Sequence, residues 1–115
     1  MVISTIAIAT IVNVMARLTL DSYLVASLMP DLVGHDHSPS AFLVYLYLSA
    51  NAHGRRKQVA ASLQAIADDT GLSKSAVQSA LRVLTRRRLV RAERSSATAV
   101  PVYEVLRPWI RPKAS

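Results

Sequence analysis

The chain contains no cysteine. That excludes disulfides and thiolate metal sites, and it fits a reducing cytosol. There are three glycines in 115 residues, and they form no glycine-rich phosphate loop. No histidine is plausibly paired with a nucleophile and a carboxylate, so catalysis is not expected and no cofactor is implied. Aromatic residues are few, with one Trp, one Phe and four Tyr. The first 54 residues are nearly devoid of positive charge. They hold Arg17 against Asp21, Asp31 and Asp36, for −2.

The second half is the opposite. Residues 55–115 hold thirteen Lys and Arg against Asp68, Asp69, Glu93 and Glu104, for +9. An apolar, faintly acidic half joined to a strongly basic one is the electrostatic footprint of a nucleic-acid binder. A merely soluble basic surface is the plainer alternative. Binding to an anionic membrane would need an amphipathic helix, and the basic half does not end in one. Hydrophobic residues make up 51% of the chain, enough for one folded domain with a real core. There are no internal repeats.

Residues 62–88 carry the most information. Ser62 is placed to cap a helix whose apolar face is Leu63, Ile66 and Ala67. Gly71 stops it, because a left-handed residue costs least without a Cβ. Leu72 fills the turn and Ser73 caps a second helix. Its apolar set is Val77, Ala80, Leu81 and Leu84, at helical spacing. Its other face carries Lys74, Ser75, Gln78, Ser79 and Arg82, side chains suited to base edges and phosphates. Ala67, Gly71 and Val77 match three needs of such a pair: a small crossing residue, a turn glycine and an apolar seat. The stretch therefore resembles the helix-turn-helix of bacterial DNA-binding regulators. An ordinary αα-hairpin of a helical bundle is the alternative.

The flanking chain extends the resemblance. Residues 41–51 are apolar almost all round, which describes a helix that is buried or shared with a partner. Ser38 or Ser40 caps it, with Pro39 in its first turn. Residues 57–61 form a candidate short strand after the basic loop Arg55, Arg56, Lys57. Leu89 to Arg94 alternates apolar and charged residues, as a half-buried strand does. Val100 to Leu106 is a second strand, with Tyr103 and Val105 on one face. Pro101 points to an edge position. The order is helix 41–53, strand, helix 62–70, helix 73–88 and hairpin 89–106. It resembles the winged helix-turn-helix of bacterial transcription regulators over residues 38–107, a mainly α fold with a small β-hairpin. Arg88 departs from the pattern, since many relatives have glycine there.

The resemblance implies double-stranded DNA as partner, with helix 73–88 in the major groove. Lys74, Ser75, Gln78 and Ser79 are the candidates for base contact. Ser73, Arg82, Arg55, Arg56, Lys57, Arg91 and Arg94 are candidates for phosphate. Arg86, Arg87 and Arg88 either contact the DNA backbone or favour the negative end of their helix dipole. A transcription regulator in the cytoplasm is the expected function. A replication or plasmid-partition factor and a winged-helix protein-interaction module are the alternatives.

The remaining segments are less specific. Residues 1–37 are expected to form an apolar helical extension, and residues 108–115 a basic tail in which Trp109 packs back. The first 16 residues are shorter than the ~20 needed to cross a bilayer, and stable membrane insertion is not expected. They allow three readings: a helix against a second copy, an element packed on its own domain, or an extension upstream of a start at Met15. The surplus of apolar side chains in residues 1–50 predicts a homodimer. A short helix is expected over 20–28, with Leu24, Leu28 and Met29 on one face, ended by Pro30. Residues 31–40 read as a connection. His35 and His37 lack a third ligand, so a solvated loop is expected there, with no metal.

Overall fold

Three serines start three helices in the computed structural model, which describes residues 18–110. Ser38 Oγ accepts from the Ala41 amide at 3.3 Å, Ser62 Oγ from Ala65 at 3.0 Å, and Ser73 Oγ from Ala76 at 3.1 Å. Each satisfies a first-turn amide that has no partner within its own helix. The helices are α1, Pro39–Asn51; α2, Leu63–Thr70; and α3, Lys74–Arg86. Three strands accompany them: β1, Gln58–Ala60; β2, Val90–Glu93; and β3, Val102–Val105. In chain order they run α1, β1, α2, α3, β2, β3. This is a winged helix-turn-helix.

Gly71 ends α2 with φ +81°, and its N–H bonds Ala67 O at 2.9 Å. Beyond its two chain neighbours nothing lies within 4 Å of where a Cβ would stand, so the backbone angle alone calls for glycine there. At the far end α3 stops at Arg86, two residues short of the expected Arg88. Arg88 then turns left-handed at φ +58°. The backbone thus takes the shape glycine favours, although an arginine occupies the position.

The sheet has the order β1-β3-β2, antiparallel throughout. This corrects the expected edge position of the second wing strand, which is central. Pro101 precedes the ladder, so its missing N–H is not called for, and its carbonyl accepts from Ala61 N at 3.2 Å. The register aligns Val59 and Ala92 with Tyr103, and Val90 with Val105. Tyr103, Val90 and Val105 are buried on the face that turns towards the helices.

The N-terminal segment also differs from expectation. Two wide helical turns, Leu24–Leu28 and Pro30–His35, follow one another. They are closed by i→i−5 bonds from Met29 N to Leu24 O and from Asp36 N to Asp31 O. Pro30 does not end the helical run, because it opens the second turn, where an N–H has no partner to lose. Leu24, Leu28 and Leu32, spaced four apart, face the core, while Met29 faces out. The part of the expected connection up to His35 is therefore helical, drawn in by the burial of Leu32.

One core unites these pieces. Leu32, Val44, Leu48, Ile66, Val77 and Leu84 are fully buried in it. Each buried leucine contributes about 1.5–3 kcal/mol relative to exposure. Tyr45 of α1 is buried too and donates its hydroxyl to Leu106 O at 2.8 Å. Trp109 packs back, as expected. It stacks on Tyr23 with ring centres 4.6 Å apart, and its Nε1 donates to Asp21 Oδ2 at 3.0 Å. The expectations for residues 1–16 and for the end of the tail lie outside the described residues.

Candidate nucleic-acid interface

The second helix of the pair divides cleanly. Val77, Ala80, Leu81 and Leu84 are buried against the core, and the opposite side of α3 faces solvent. Lys74, Gln78, Arg82 and Arg86 recur every four residues along that side, all exposed. None of these four side chains has a hydrogen-bond or ion-pair partner among the described residues. Ser75 and Ser79 are exposed beside them. The structure therefore brings all four base-contact candidates, and Arg82, onto one helix. Ser73 holds the N-terminal end, its hydroxyl committed to the cap and 3.3 Å from that of Ser75. The first amides of α3 and the positive end of its dipole lie there, a favourable place for a phosphate.

The remaining cationic candidates fall elsewhere. Arg55, Arg56 and Lys57 occupy a tight turn closed by two bonds between His53 and Gln58. Arg91 pairs with Glu104 across the sheet, and Gln58 aligns with Glu104 on its other side. These three therefore share the sheet face that turns away from the helices. Glu104 accepts from Arg56 at 3.3 Å and from Arg91 at 3.4 Å, so one carboxylate holds two of the phosphate candidates. Arg94 opens the wing turn and donates to Ala97 O at 3.1 Å. An open groove runs between α3 and the wing, edged by Gln78, Arg82 and Arg86 and floored by Leu81, Ala92 and Tyr103.

Two supports for this face are not legible in the local sequence. Arg87, the middle arginine of its run, is turned inward to Asp31, and it lies 3.5 Å from Asp36. That fixes the end of α3 to the N-terminal turns. The hydrogen bond from His35 Nδ1, at 3.0 Å, and the charge of Arg87 outweigh partial burial and hold the Asp36 carboxyl below its ordinary 3.8. Tyr47 of α1 donates to Asp69 Oδ2 at 2.5 Å, which holds α2 in place. Burial, and then the neighbouring Asp69 carboxylate, push the Tyr47 hydroxyl well above its usual range. Both partnerships span more than twenty residues, and no helical or strand period announces them.

Residues 38–90 match the family model of a helix-turn-helix domain. The resemblance covers a little under half of the chain. No curated protein and no solved structure matches it. Helix-turn-helix domains are a DNA-binding class in which the second helix enters the major groove. The match runs from Ser38, the cap of α1, to Val90, the first residue of β2. In this helix-turn-helix domain β3, which completes the wing, lies beyond the matched residues. No group of three His, Asp or Glu side chains stands together as a metal site among the described residues, and none of their helices is long and apolar enough to cross a membrane.

Proposed function

We propose that the protein is a sequence-specific double-stranded DNA-binding regulator of transcription that acts by binding, without catalysis, in the cytoplasm. The carrying observation is the unpartnered line Lys74, Gln78, Arg82 and Arg86 on the exposed side of α3. An α-helix fits the width of the major groove. Gln78 is suited to pair bidentately with adenine, while Lys74, Ser75 and Ser79 reach neighbouring base edges from the leading end of the helix. Arg82 and Arg86, further along, meet phosphate and position the helix without reading sequence. The pairing of Arg56 and Arg91 with Glu104 favours α3 over the sheet as the main source of phosphate contact.

The test is fluorescence anisotropy on duplex DNA at several salt concentrations. If ~4–6 phosphates are neutralised per domain, log K falls with log salt at a slope of roughly −4 to −5. A Lys74→Ala/Gln78→Ala/Arg82→Ala variant is expected to flatten the slope and to lose sequence discrimination. Absence of binding to any duplex at low salt overturns the reading. Binding that the variant leaves unchanged moves the contact away from α3.

A further inference from the structure

A half-open recess of about 150 Å3 lies remote from α3, which contributes no residue to its wall. It is formed by the start of the described chain, the second half of α1, the turn before β1 and the segment after β3. Leu24, Tyr45, Val105 and Trp109 supply its apolar wall. Apolar cavities of about this size accept one benzene ring.

The charges around it are uneven. Lys57, Arg107 and Asp21 all border the recess. Asp21 is already engaged by two neutral donors, the Tyr23 amide and the Trp109 indole, each at 3.0 Å. Lys57 and Arg107 have no ion-pair or side-chain hydrogen-bond partner among the described residues. Lys57 also adopts φ +49°, a conformation that glycine takes more easily. Its backbone is held there from both sides, by a bond from its N–H to Gly54 O at 3.2 Å and one from Val105 N to its carbonyl at 2.9 Å. A residue with a cationic side chain thus stands at the rim where the backbone favours one without a side chain.

We infer that the recess binds a small organic monocarboxylate whose apolar body is about the size of one benzene ring, with its carboxylate between Lys57 and Arg107. The ring lies against Tyr45 and Trp109, and the two cations supply charge-assisted hydrogen bonds to the acid group. This site is independent of the DNA-binding reading, and its test uses no DNA.

Trp109 is the only tryptophan of the chain, so its emission reports the recess directly. The full chain is titrated at constant ionic strength with benzoate, and in parallel with benzamide and acetate. The expected result is a saturable change with benzoate. Benzamide lacks the charge and acetate the apolar body, so each should bind at least about tenfold more weakly. Lys57→Gln and Arg107→Gln, both at exposed positions, should each weaken benzoate by about tenfold. Ser49→Leu, which fills the recess from α1, should abolish binding while thermal unfolding stays cooperative. If Ser49→Leu fails to fold, the two rim variants decide. A linear, unsaturable quench, equal binding of benzamide, or indifference to both rim substitutions overturns the inference.

Discussion

Arg86, Arg87 and Arg88 are identical in chemistry and different in task. Arg87 is half-buried against Asp31 and Asp36, whereas Arg86 and Arg88 are exposed. Arg87→Ala leaves two carboxylates without their cation and should lower stability by about 1–2 kcal/mol, read as a shift of the urea midpoint. The salt slope of DNA binding should not change. Arg86→Ala should do the reverse, reducing the slope by roughly one phosphate contact at constant stability. The sequence offered DNA backbone or helix dipole for all three. The partner of Arg87 lies 56 residues away, beyond the reach of any local pattern. The same cluster sets a response to acid. The folded-state value of Asp36 is depressed, so its contribution is complete above its ordinary 3.8 and is lost as pH falls through the lower folded value. Asp36→Asn should therefore flatten the decline of stability with pH below about 4, measured by urea unfolding along a pH series.

Among the elements, the helix-turn-helix was the most legible, because its signals are local. Ser62, Gly71 and Ser73 act within four residues of their own positions, and each does so in the structure. Gly71→Ala isolates one of them. With nothing beyond its two chain neighbours within 4 Å of the new Cβ, the whole penalty is conformational, and a loss of about 1 kcal/mol is expected in thermal or urea unfolding. A neutral result would mean that the turn relaxes out of its left-handed conformation. The prolines were harder to read. Pro30 and Pro101 each lack an N–H, but whether that matters depends on whether a partner was waiting for it. Pro30 stands at the start of a turn and Pro101 just outside a ladder, and both facts belong to the tertiary structure. The candidate site divides likewise. The face of α3 follows from period 3.6, whereas the pairing of Arg56 and Arg91 through Glu104 follows from sheet register, which a chain with an eight-residue wing turn does not announce.

At the scale of the molecule, the N-terminal turns show one face to the core and another to solvent. Val25, Met29 and Val33, spaced four apart, are exposed and uncharged, Val25 to 50%. This stripe supports the expected homodimer, which would set two α3 helices on a two-fold DNA site. Sedimentation at micromolar concentration is expected to show a dimer, and Met29→Glu to shift it towards monomer without unfolding it. A wild-type monomer at that concentration would overturn the expected homodimer.

The order of the sheet reaches further, into biogenesis. Both outer strands, β1 and β2, are synthesised before the strand that lies between them. Until β3 is added, a nascent chain carries two strands with unpaired amides and carbonyls, each a template for pairing with a neighbouring chain. The helices can assemble at this stage, since all three precede β3 in the chain, but the sheet cannot. Insertion of β3 pairs the inner edge of each outer strand in one step. A chain cut short within the wing is therefore left with intact helix signals and two strands without their shared partner, and its expected fate is aggregation.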